Sequence, residues 1–426
     1  MEFLKENWKK VIFFLSIMGP GIITATAGND SGGIATYAVA GAQFGYGLLW
    51  ALIPVAILLI YTLDISTKLG IVTRLGLAAL IREKFRVKLT ISLLILVLIA
   101  NFGTTVSEFA GISSSFQIIS NELNLNGGDI PWGTILQTIA VILSSIIIWI
   151  FIVKGNYRRV EKVFLTLIVF YAAYVISAFL AKPDWPVAVK SLVVPTFSTD
   201  PAFLFTMVGV IGTTIAPWMY FYHNSTIAEK GISEDDLKLS RIDSCVGSIL
   251  TNIIVFFIMV AAAATIFVNK LPVKTVEDIG HSLIPFAGEY AGYLFAFGLF
   301  NASIFAAAIL PLSTAYAICE ALGWETGIDK GFREAPQFYS IFTGMIATGA
   351  LIVLIPHAPL LFIMRLSQVA NGVVLPFFLV YLLLLAEDEK LMGKYAARGI
   401  VRWFGWLIAV ILIGLDITLL AAPLFT

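Results

Sequence analysis

The chain has 426 residues, of which 59% are hydrophobic and 13% are charged, and its formal net charge is zero. Soluble globular domains carry about 25% charged residues, so the composition excludes that class. Three histidines and two cysteines are too few for a disulfide framework or a Cys/His zinc cluster, and the neutral charge gives no reason to expect a nucleic-acid partner.

Apolar stretches long enough to cross a bilayer recur along the chain, since about 20 apolar residues span the hydrocarbon core. The sequence therefore predicts an all-α polytopic membrane protein that forms a single transmembrane domain, 1–426, in the lipid bilayer. About eleven transmembrane segments are expected, at 11–40, 46–66, 89–119, 132–153, 162–181, 200–229, 242–268, 287–321, 336–355, 358–386 and 400–422.

The loops between these segments alternate in charge. Loops on one side hold 22 of the 27 lysines and arginines, and those on the other side hold only Lys182, Lys190, Lys270 and Lys274, while Arg365 lies within a segment. Because cytoplasmic loops are rich in basic residues, this alternation predicts a cytoplasmic N-terminus and an external C-terminus. The short loops suggest the plasma (inner) membrane of a prokaryote. The oligomeric state is open, with a monomer as the default.

Two segments are interrupted near their middle. The first contains the run 28–33, Gly-Asn-Asp-Ser-Gly-Gly, and the sixth contains 213–217, Thr-Thr-Ile-Ala-Pro. Interrupted helices at corresponding positions of two halves are typical of inverted-repeat transporters. The spacing of five segments predicts repeats at 1–181 and 200–386, with 400–422 as an additional helix.

The chemistry of such breaks favours a cation. A broken helix leaves backbone carbonyls without an intrahelical donor, and the end of the preceding half-helix carries partial negative charge. Asp30 lies within the first break. A carboxylate at membrane depth is costly, so its presence indicates a functional site. The alternative is that Asp30 only caps the following half-helix, although one side chain can do both.

Other polar residues at membrane depth are weaker candidates for an ion pathway. Glu108 either lines a water path or pairs with a basic group, and His223 is either functional or a satisfied buried side chain. Gln368 and Asn371 lie one turn apart and share a helix face, where they offer amide oxygens to the site or bond neighbouring helices. Thr214, in the second break, is a candidate to hold a hydration water.

Four stretches together resemble the natural resistance-associated macrophage protein (Nramp) family. The resemblance follows the order and spacing of segments one to ten. The stretches are Gly19 to Gly33 with Ala35-Thr36, Leu69 to Thr73, Gly209 to Ser225, and Ser367-Gln368-Val369 with Leu375-Pro376-Phe377.

The sequence departs from typical importers of this family at the ion site itself. Their first break reads Asp-Pro-Gly-Asn, and both the Asp and the Asn bind a transition metal. Here Asp30 matches the Asp, Ser31 replaces the Pro and Gly33 replaces the Asn. Their sixth helix reads Met-Pro-His, where the Met thioether contacts the metal. Ala216 replaces that Met and Trp218 replaces that His.

The proton route of typical importers is also altered. Thr105 replaces the Asp of an acidic pair in the third helix, Glu108 matches the Glu, and the later histidine is retained as His223. The pattern resembles the Nramp-related magnesium transporters. That resemblance implies a LeuT-type fold with a 5+5 inverted repeat, and transport of magnesium, with manganese tolerated, without proton coupling. The metal is then the substrate, and no cofactor is expected.

Carried over by position, the resemblance also implies a set of site residues. They are Asp30, the carbonyls of Ala27 and Thr213, the space beside Gly33 and Ala216, and Gln368.

Ligand chemistry supports magnesium over softer metals at this site, because thioethers favour soft metals whereas carboxylate, carbonyl and water favour magnesium, calcium and manganese.

One alternative is a proton-coupled manganese and iron importer. A sodium-coupled organic-solute carrier is another, although Asp30 would repel a substrate carboxylate. A passive channel is a third, less favoured because paired breaks are typical of alternating access. No Gly-x-Ser-x-Gly or His-Glu-x-x-His motif is present, so we expect no enzyme.

Overall fold

The computed structural model describes residues 19–123, 125, 131–287 and 290–421, and regular structure within them is helical. The start of the first expected segment, 11–18, lies outside these residues. The α-helices are α1 Pro20–Thr26, α2 Ser31–Phe44, α3 Leu52–Thr73, α4 Leu77–Lys84, α5 Val87–Glu122, α6 Trp132–Val153, α7 Tyr157–Val169, α8 Ala172–Leu180, α9 Trp185–Ser191, α10 Pro201–Thr214, α11 Pro217–Lys230, α12 Leu237–Ala262, α13 Val276–Ala287, α14 Ala291–Leu322, α15 Pro336–Val353, α16 Leu360–Glu387, α17 Glu389–Met392 and α18 Gly399–Ala421.

Ten helical stretches within the described residues are long and apolar enough to cross a membrane. The pair α1 and α2 forms the described part of one more segment. The prediction of an all-α polytopic protein with about eleven membrane segments is therefore confirmed.

Both predicted interruptions are present. The first segment divides between α1 and α2, and the sixth divides between α10 and α11. Asp30 is the N-cap residue of α2, and Pro217 is the first residue of α11, where its missing N–H costs no helical hydrogen bond. The breaks thus form where the sequence supplies a capping carboxylate and a proline.

Helix boundaries differ from the prediction at the second segment, which was expected to end at residue 66. Instead α3 continues to Thr73, because the residues that follow the polar turn, Leu69 to Ile71, are themselves buried in the bundle. Asp64 and Lys68, one turn apart, form an ion pair of 2.6 Å at the start of this extension. Four short helices, α4, α9, α13 and α17, lie in stretches that were expected to be loops. The fifth segment divides into α7 and α8.

The half-helix α2 lies at the centre of the bundle. It packs against α5, α10, α12, α14 and α16, and its residues Ser31 to Ala42 are buried. Helices α10 and α16 cross closely, because a Cβ at Gly212 would lie 2.2 Å from the backbone nitrogen of Gly372. Small residues permit such close crossings in membranes, and this one brings α16 against the first break.

The N-terminus of α1 is held by a carboxylate from a distant helix. Asp243 of α12 accepts hydrogen bonds from Gly21 N at 2.7 Å and from Ile22 N at 3.3 Å. An acidic group at a helix N-terminus satisfies free amides and opposes the positive end of the helix dipole. Asp243 therefore fixes the position of the short half-helix that leads into the first break.

Candidate ion site at the helix breaks

Asp30 is almost fully buried, with 1% of its surface exposed. Its Oδ1 accepts a hydrogen bond from Gly33 N at 2.5 Å, so Asp30 caps α2. The amide Nε2 of Gln368 donates to Oδ1 at 3.1 Å and to Oδ2 at 3.2 Å. One cap bond leaves further lone pairs of the carboxylate open to other partners, so capping does not exclude an ion.

The carbonyl of Ala27 loses its helical donor at the first break. That donor would be Ser31 N–H, four residues on, which instead donates to Glu108 Oε2 at 3.1 Å. Glu108 Oε2 also accepts from Ser31 Oγ at 2.9 Å. The Ala27 oxygen, at the C-terminal end of α1, therefore has no donor from its own helix.

The carbonyl of Thr213 loses its donor for a different reason. Its donor would be the N–H of residue 217, four residues on, but Pro217 has no N–H. Both carbonyls expected from the sequence thus lack a donor from their own helix, at the ends of α1 and α10, where the helix dipoles are negative.

The two breaks contact each other directly. The hydroxyl of Thr213 donates to the carbonyl of Gly28 at 3.2 Å. A Cβ added to Gly33 would lie 2.4 Å from this hydroxyl and 3.1 Å from Asp30 Oδ1. In this closed arrangement the Thr213 hydroxyl therefore occupies the space expected beside Gly33, and whether that space opens around an ion stays a prediction.

A polar chain continues from Gln368 away from Asp30. Asn371 Nδ2 donates to Gln368 Oε1 at 3.3 Å and to Thr104 Oγ1 at 2.9 Å. These contacts place Gln368 against Asp30 and Asn371 behind Gln368, which agrees with their predicted shared face. They also fix the amide of Gln368 so that its nitrogen faces the carboxylate.

Glu108 lies beside the first break as expected, but its described partner is Ser31 and not a basic group. Its other oxygen, Oε1, is buried and has no hydrogen-bond partner among the described residues. Replacing the family's proline by Ser31 supplies both the N–H and the hydroxyl that hold this carboxyl group.

His223 is surrounded by hydroxyl groups. Hydrogen bonds link its Nε2 to Thr67 Oγ1 at 2.8 Å and to Ser244 Oγ at 3.3 Å, and its Nδ1 to Thr24 Oγ1 at 3.4 Å. These contacts fit the interpretation of His223 as a satisfied buried side chain, and no hydrogen bond within the described residues joins it to Asp30.

Two further candidates flank the second break. The hydroxyl of Thr214 is hydrogen-bonded to Tyr37 Oη at 2.8 Å and donates to Val210 O at 2.8 Å. Trp218 is buried, and its indole N–H has no partner among the described residues. Thr214 is therefore already satisfied, whereas Trp218 offers an unused donor beside Ala216.

Three residues near the breaks escaped the sequence reasoning. They are Asp243, Tyr171 and Met219. Tyr171 donates its hydroxyl to the carbonyl oxygen of Asn29 at 2.9 Å. A Cβ at Gly28 would lie 2.3 Å from the methyl carbon of Met219. Asp243, as a carboxylate inside an apolar segment, carried a usable signal. Tyr171 and Met219 resemble ordinary core residues in sequence.

The site is closed to solvent, since Asp30, Thr213, Ala216 and Gln368 are each at most 1% exposed. Within the described part of the chain, no group of three or more His, Cys, Asp or Glu side chains could hold a metal. Any cation at the breaks would therefore rely on one carboxylate together with amide and carbonyl oxygens.

The fold and the paired breaks define a multi-pass α-helical membrane protein with two discontinuous helices. The family described as natural resistance-associated macrophage protein-like matches residues 21–422, and the chain belongs to that family. Its members are transporters, so the expectations that the chain is not an enzyme and needs no cofactor are confirmed.

Curated relatives of similar length support this assignment. The chain is 28% identical over 411 residues to the divalent metal cation transporter MntH of Burkholderia ambifaria, covering 94% of this chain and 88% of the relative. It is 28% identical over 419 residues to the protein of the same name from Deinococcus radiodurans, with 94% and 88% covered.

Solved structures share the fold. The Eremococcus coleocola manganese transporter superposes with a TM-score of 0.76 at 21% identity, covering 97% of this chain and 87% of that one. Mhp1, a nucleobase-cation-symport-1 family transporter, gives a TM-score of 0.59 at 12% identity, with 96% and 91% covered. The prediction of a LeuT-type fold with broken first and sixth helices is confirmed.

Proposed function

We propose that this protein transports a divalent metal ion, magnesium preferentially and manganese as well, by alternating access without proton coupling. The observation that carries the proposal is the donor set at the breaks. It consists of the Asp30 carboxylate, the carbonyls of Ala27 and Thr213, and the Gln368 side chain, whose nitrogen faces Asp30 in the closed site and whose oxygen has to turn toward a bound ion. It includes no thioether or imidazole at positions 216 and 218. Oxygen donors of this kind favour magnesium, calcium and manganese.

Partial hydration of the ion accounts for the small number of charged ligands. Magnesium gives up its waters reluctantly and is usually held through one or two carboxylates. The Thr213 hydroxyl lies beside Asp30 and Gly33, where it can bind a hydration water once the breaks separate. The names of the relatives, which refer to divalent metal cations and manganese, support the substrate class.

The absence of proton coupling is proposed from the residues that replace the family's proton route. The hydroxyl of Thr105 donates to Asn101 O at 2.8 Å and carries no titratable proton at physiological pH. Glu108 is held by Ser31, and His223 is held by hydroxyl groups. Among the residues that the structure describes, these contacts form no continuous chain of titratable groups leading away from Asp30.

A proton-coupled transition-metal importer is the second candidate. The observation in its favour is Met219, whose methyl group packs against Gly28 and places a soft thioether close to the first break. Glu108 and His223 would then serve as proton carriers. A sodium-coupled organic-solute carrier is less favoured, because Asp30 would repel a substrate carboxylate.

The proposed setting is the inner membrane of a prokaryote, with the N-terminus cytoplasmic and the C-terminus outside. In this scheme 1–181 and 200–386 are inverted repeats, and 400–422 is an added helix. Alternating access then follows from rocking of one bundle against the other around the breaks. A monomer suffices for this mechanism.

The test uses purified protein in liposomes that contain a magnesium-sensitive dye and, separately, a pH-sensitive dye, under an imposed membrane potential. We expect magnesium influx without acidification of the lumen. Manganese influx with a matching proton influx, in the absence of magnesium influx, would establish the second candidate instead.

The same assay tests the role of Asp30. Asp30→Ala is expected to abolish uptake, and Ser367→Ala is the control, because the Ser367 hydroxyl bonds its own helix at Met364 O. Wild-type uptake by Asp30→Ala would disprove the proposed site.

A further inference from the structure

Two adjoining cavities lie between α3, α12 and the α16–α18 region, at the end of the bundle where the basic loops lie. One has a volume of about 420 Å³ and the other about 480 Å³. Both are lined by Lys68, Arg241 and Val401. The cavities are therefore neighbours, with two basic side chains at their junction.

The first cavity, here called the basic cavity, has an excess of positive charge. Lys68 and Arg241 share a single carboxylate, Asp64, with the Lys68 Nζ to Asp64 Oδ2 distance at 2.6 Å. Lys394 and Arg398 also line it. Half or more of the side-chain surface of Arg241, Lys394 and Arg398 is exposed, so these groups can reach a ligand.

Acidic partners reduce the positive charge of Lys394 and Arg398 only in part. Lys394 pairs with Glu234 at 3.2 Å and Arg398 pairs with Glu389 at 2.8 Å. Such exposed pairs contribute little and exchange readily with other anions. Lys238 lines the second cavity and forms no ion pair within the described residues.

The second cavity, here called the apolar groove, continues from the basic cavity along the membrane-facing side of α3. Besides its basic and acidic rim, it is lined by Ile57, Ile60, Ile242 and Phe404. A water-soluble anion would gain nothing from this surface, whereas an acyl chain would bury apolar area there.

We propose that this pair of cavities binds one anionic phospholipid. Its phosphate lies at Arg241, where the two cavities meet, and at Lys238 on the rim of the apolar groove, and one acyl chain lies along that groove. Basic pockets between transmembrane helices at the cytoplasmic side suit anionic headgroups. The net positive charge favours an anionic headgroup over a zwitterionic one. Because the lipid would contact α3, α12 and α18 together, its binding stabilises the packing of these helices.

The experiment measures thermal unfolding of delipidated, purified full-length protein in detergent during titration with phosphatidylglycerol, phosphatidylcholine or inorganic phosphate. We expect phosphatidylglycerol to raise the unfolding temperature at lower concentration than phosphatidylcholine. Inorganic phosphate is expected to have no comparable effect. Equal responses to both lipids, or a full response to phosphate alone, would overturn the proposal.

Two kinds of variant locate the site. Lys238→Gln and Arg241→Gln should each weaken the apparent phosphatidylglycerol affinity about fivefold, since a basic group near anionic lipid contributes about 1 kcal/mol. Ile242→Trp, which fills the apolar groove without changing charge, should weaken it as well. Lys390→Gln is the matched control, because Lys390 is exposed and lines neither cavity.

The Lys390→Gln control and the Ile242→Trp variant distinguish this site from general attraction to surface charge and from lipid binding outside the apolar groove. If Lys390→Gln weakens binding as much as Arg241→Gln, the lipid responds to general surface charge and the site is wrong. If Ile242→Trp binds phosphatidylglycerol like the wild type, the acyl chain does not lie in the groove and the proposal fails.

Discussion

Gln368 donates its side-chain amide to both oxygens of Asp30, at 3.1 and 3.2 Å, across 338 positions of sequence. With its nitrogen facing the carboxylate, the amide satisfies Asp30 in the closed site. A cation bound to Asp30 would repel this N–H group and attract the amide oxygen. We therefore expect the Gln368 side chain to turn when an ion binds, so that its amide oxygen becomes a ligand of the ion.

Replacing Gln368 by Leu should weaken magnesium binding and leave the maximal transport rate nearly unchanged. The variant loses one amide oxygen as a ligand, and a polar contact to a charged group is worth about 1.5–3 kcal/mol. We expect KM for magnesium uptake to rise roughly tenfold or more, with little change in kcat. Uptake into proteoliposomes over a range of magnesium concentrations measures both constants. A wild-type KM would show that Gln368 does not reach the ion.

Restoring the family's asparagine should fail unless the Thr213 side chain is also shortened. In Gly33→Asn the new Cβ would lie 2.4 Å from the Thr213 hydroxyl, so we expect magnesium uptake to be lost. Adding Thr213→Ala removes the closest contact but leaves the Gly28 carbonyl oxygen 3.0 Å from the new Cβ, so folding and uptake should recover in part. Further adding Ala216→Met should shift preference toward cadmium and manganese.

Competition between magnesium and cadmium in liposomes measures that shift, with Thr213→Ala alone as the control. If the triple variant folds, takes up magnesium and ignores cadmium, side-chain ligands at positions 33 and 216 do not set selectivity.

Glu108→Gln should retain transport, whereas Glu108→Ala should not. The Gln variant keeps an oxygen that can accept from Ser31, but Ala leaves the Ser31 N–H buried without a partner, a loss of about 1–3 kcal/mol. In the absence of proton coupling, magnesium uptake by Glu108→Gln should stay within about twofold of the wild type. Its dependence on pH between 6 and 8 should also be unchanged. Loss of uptake together with an altered pH profile would assign Glu108 to a proton route.

Asp243→Ala should destabilise the protein through α1. Removing the carboxylate leaves the Gly21 and Ile22 amides without their acceptor, at a cost of about 2 kcal/mol in the free energy of unfolding. Thermal unfolding in detergent measures the loss, and the exposed Asp235→Ala is the control. Asp243→Asn should be intermediate, because its oxygen still accepts one bond. Equal unfolding temperatures for Asp243→Ala and the control would show that this cap adds nothing.

Local properties of the sequence determined the membrane segments, the two interruptions and the selection of Asp30 as the candidate ion ligand. Apolar runs of sufficient length form spanning helices wherever they occur, and the Asp30 cap and Pro217 act within a few residues of their own position. The sequence did not predict the extension of α3, because the charged residues Asp64 and Lys68 interrupt the apolar stretch before the buried residues Leu69 to Ile71.

Only the tertiary structure decided which distant groups meet at the breaks. The contacts of Gln368 with Asp30, of Glu108 with Ser31 and of Asp243 with α1 each join separate helices. The Thr213 hydroxyl occupies the space beside Gly33 for the same reason, since that space depends on how α10 packs against α2. Packing of whole helices sets such distances, and a list of residue types carries no measure of them.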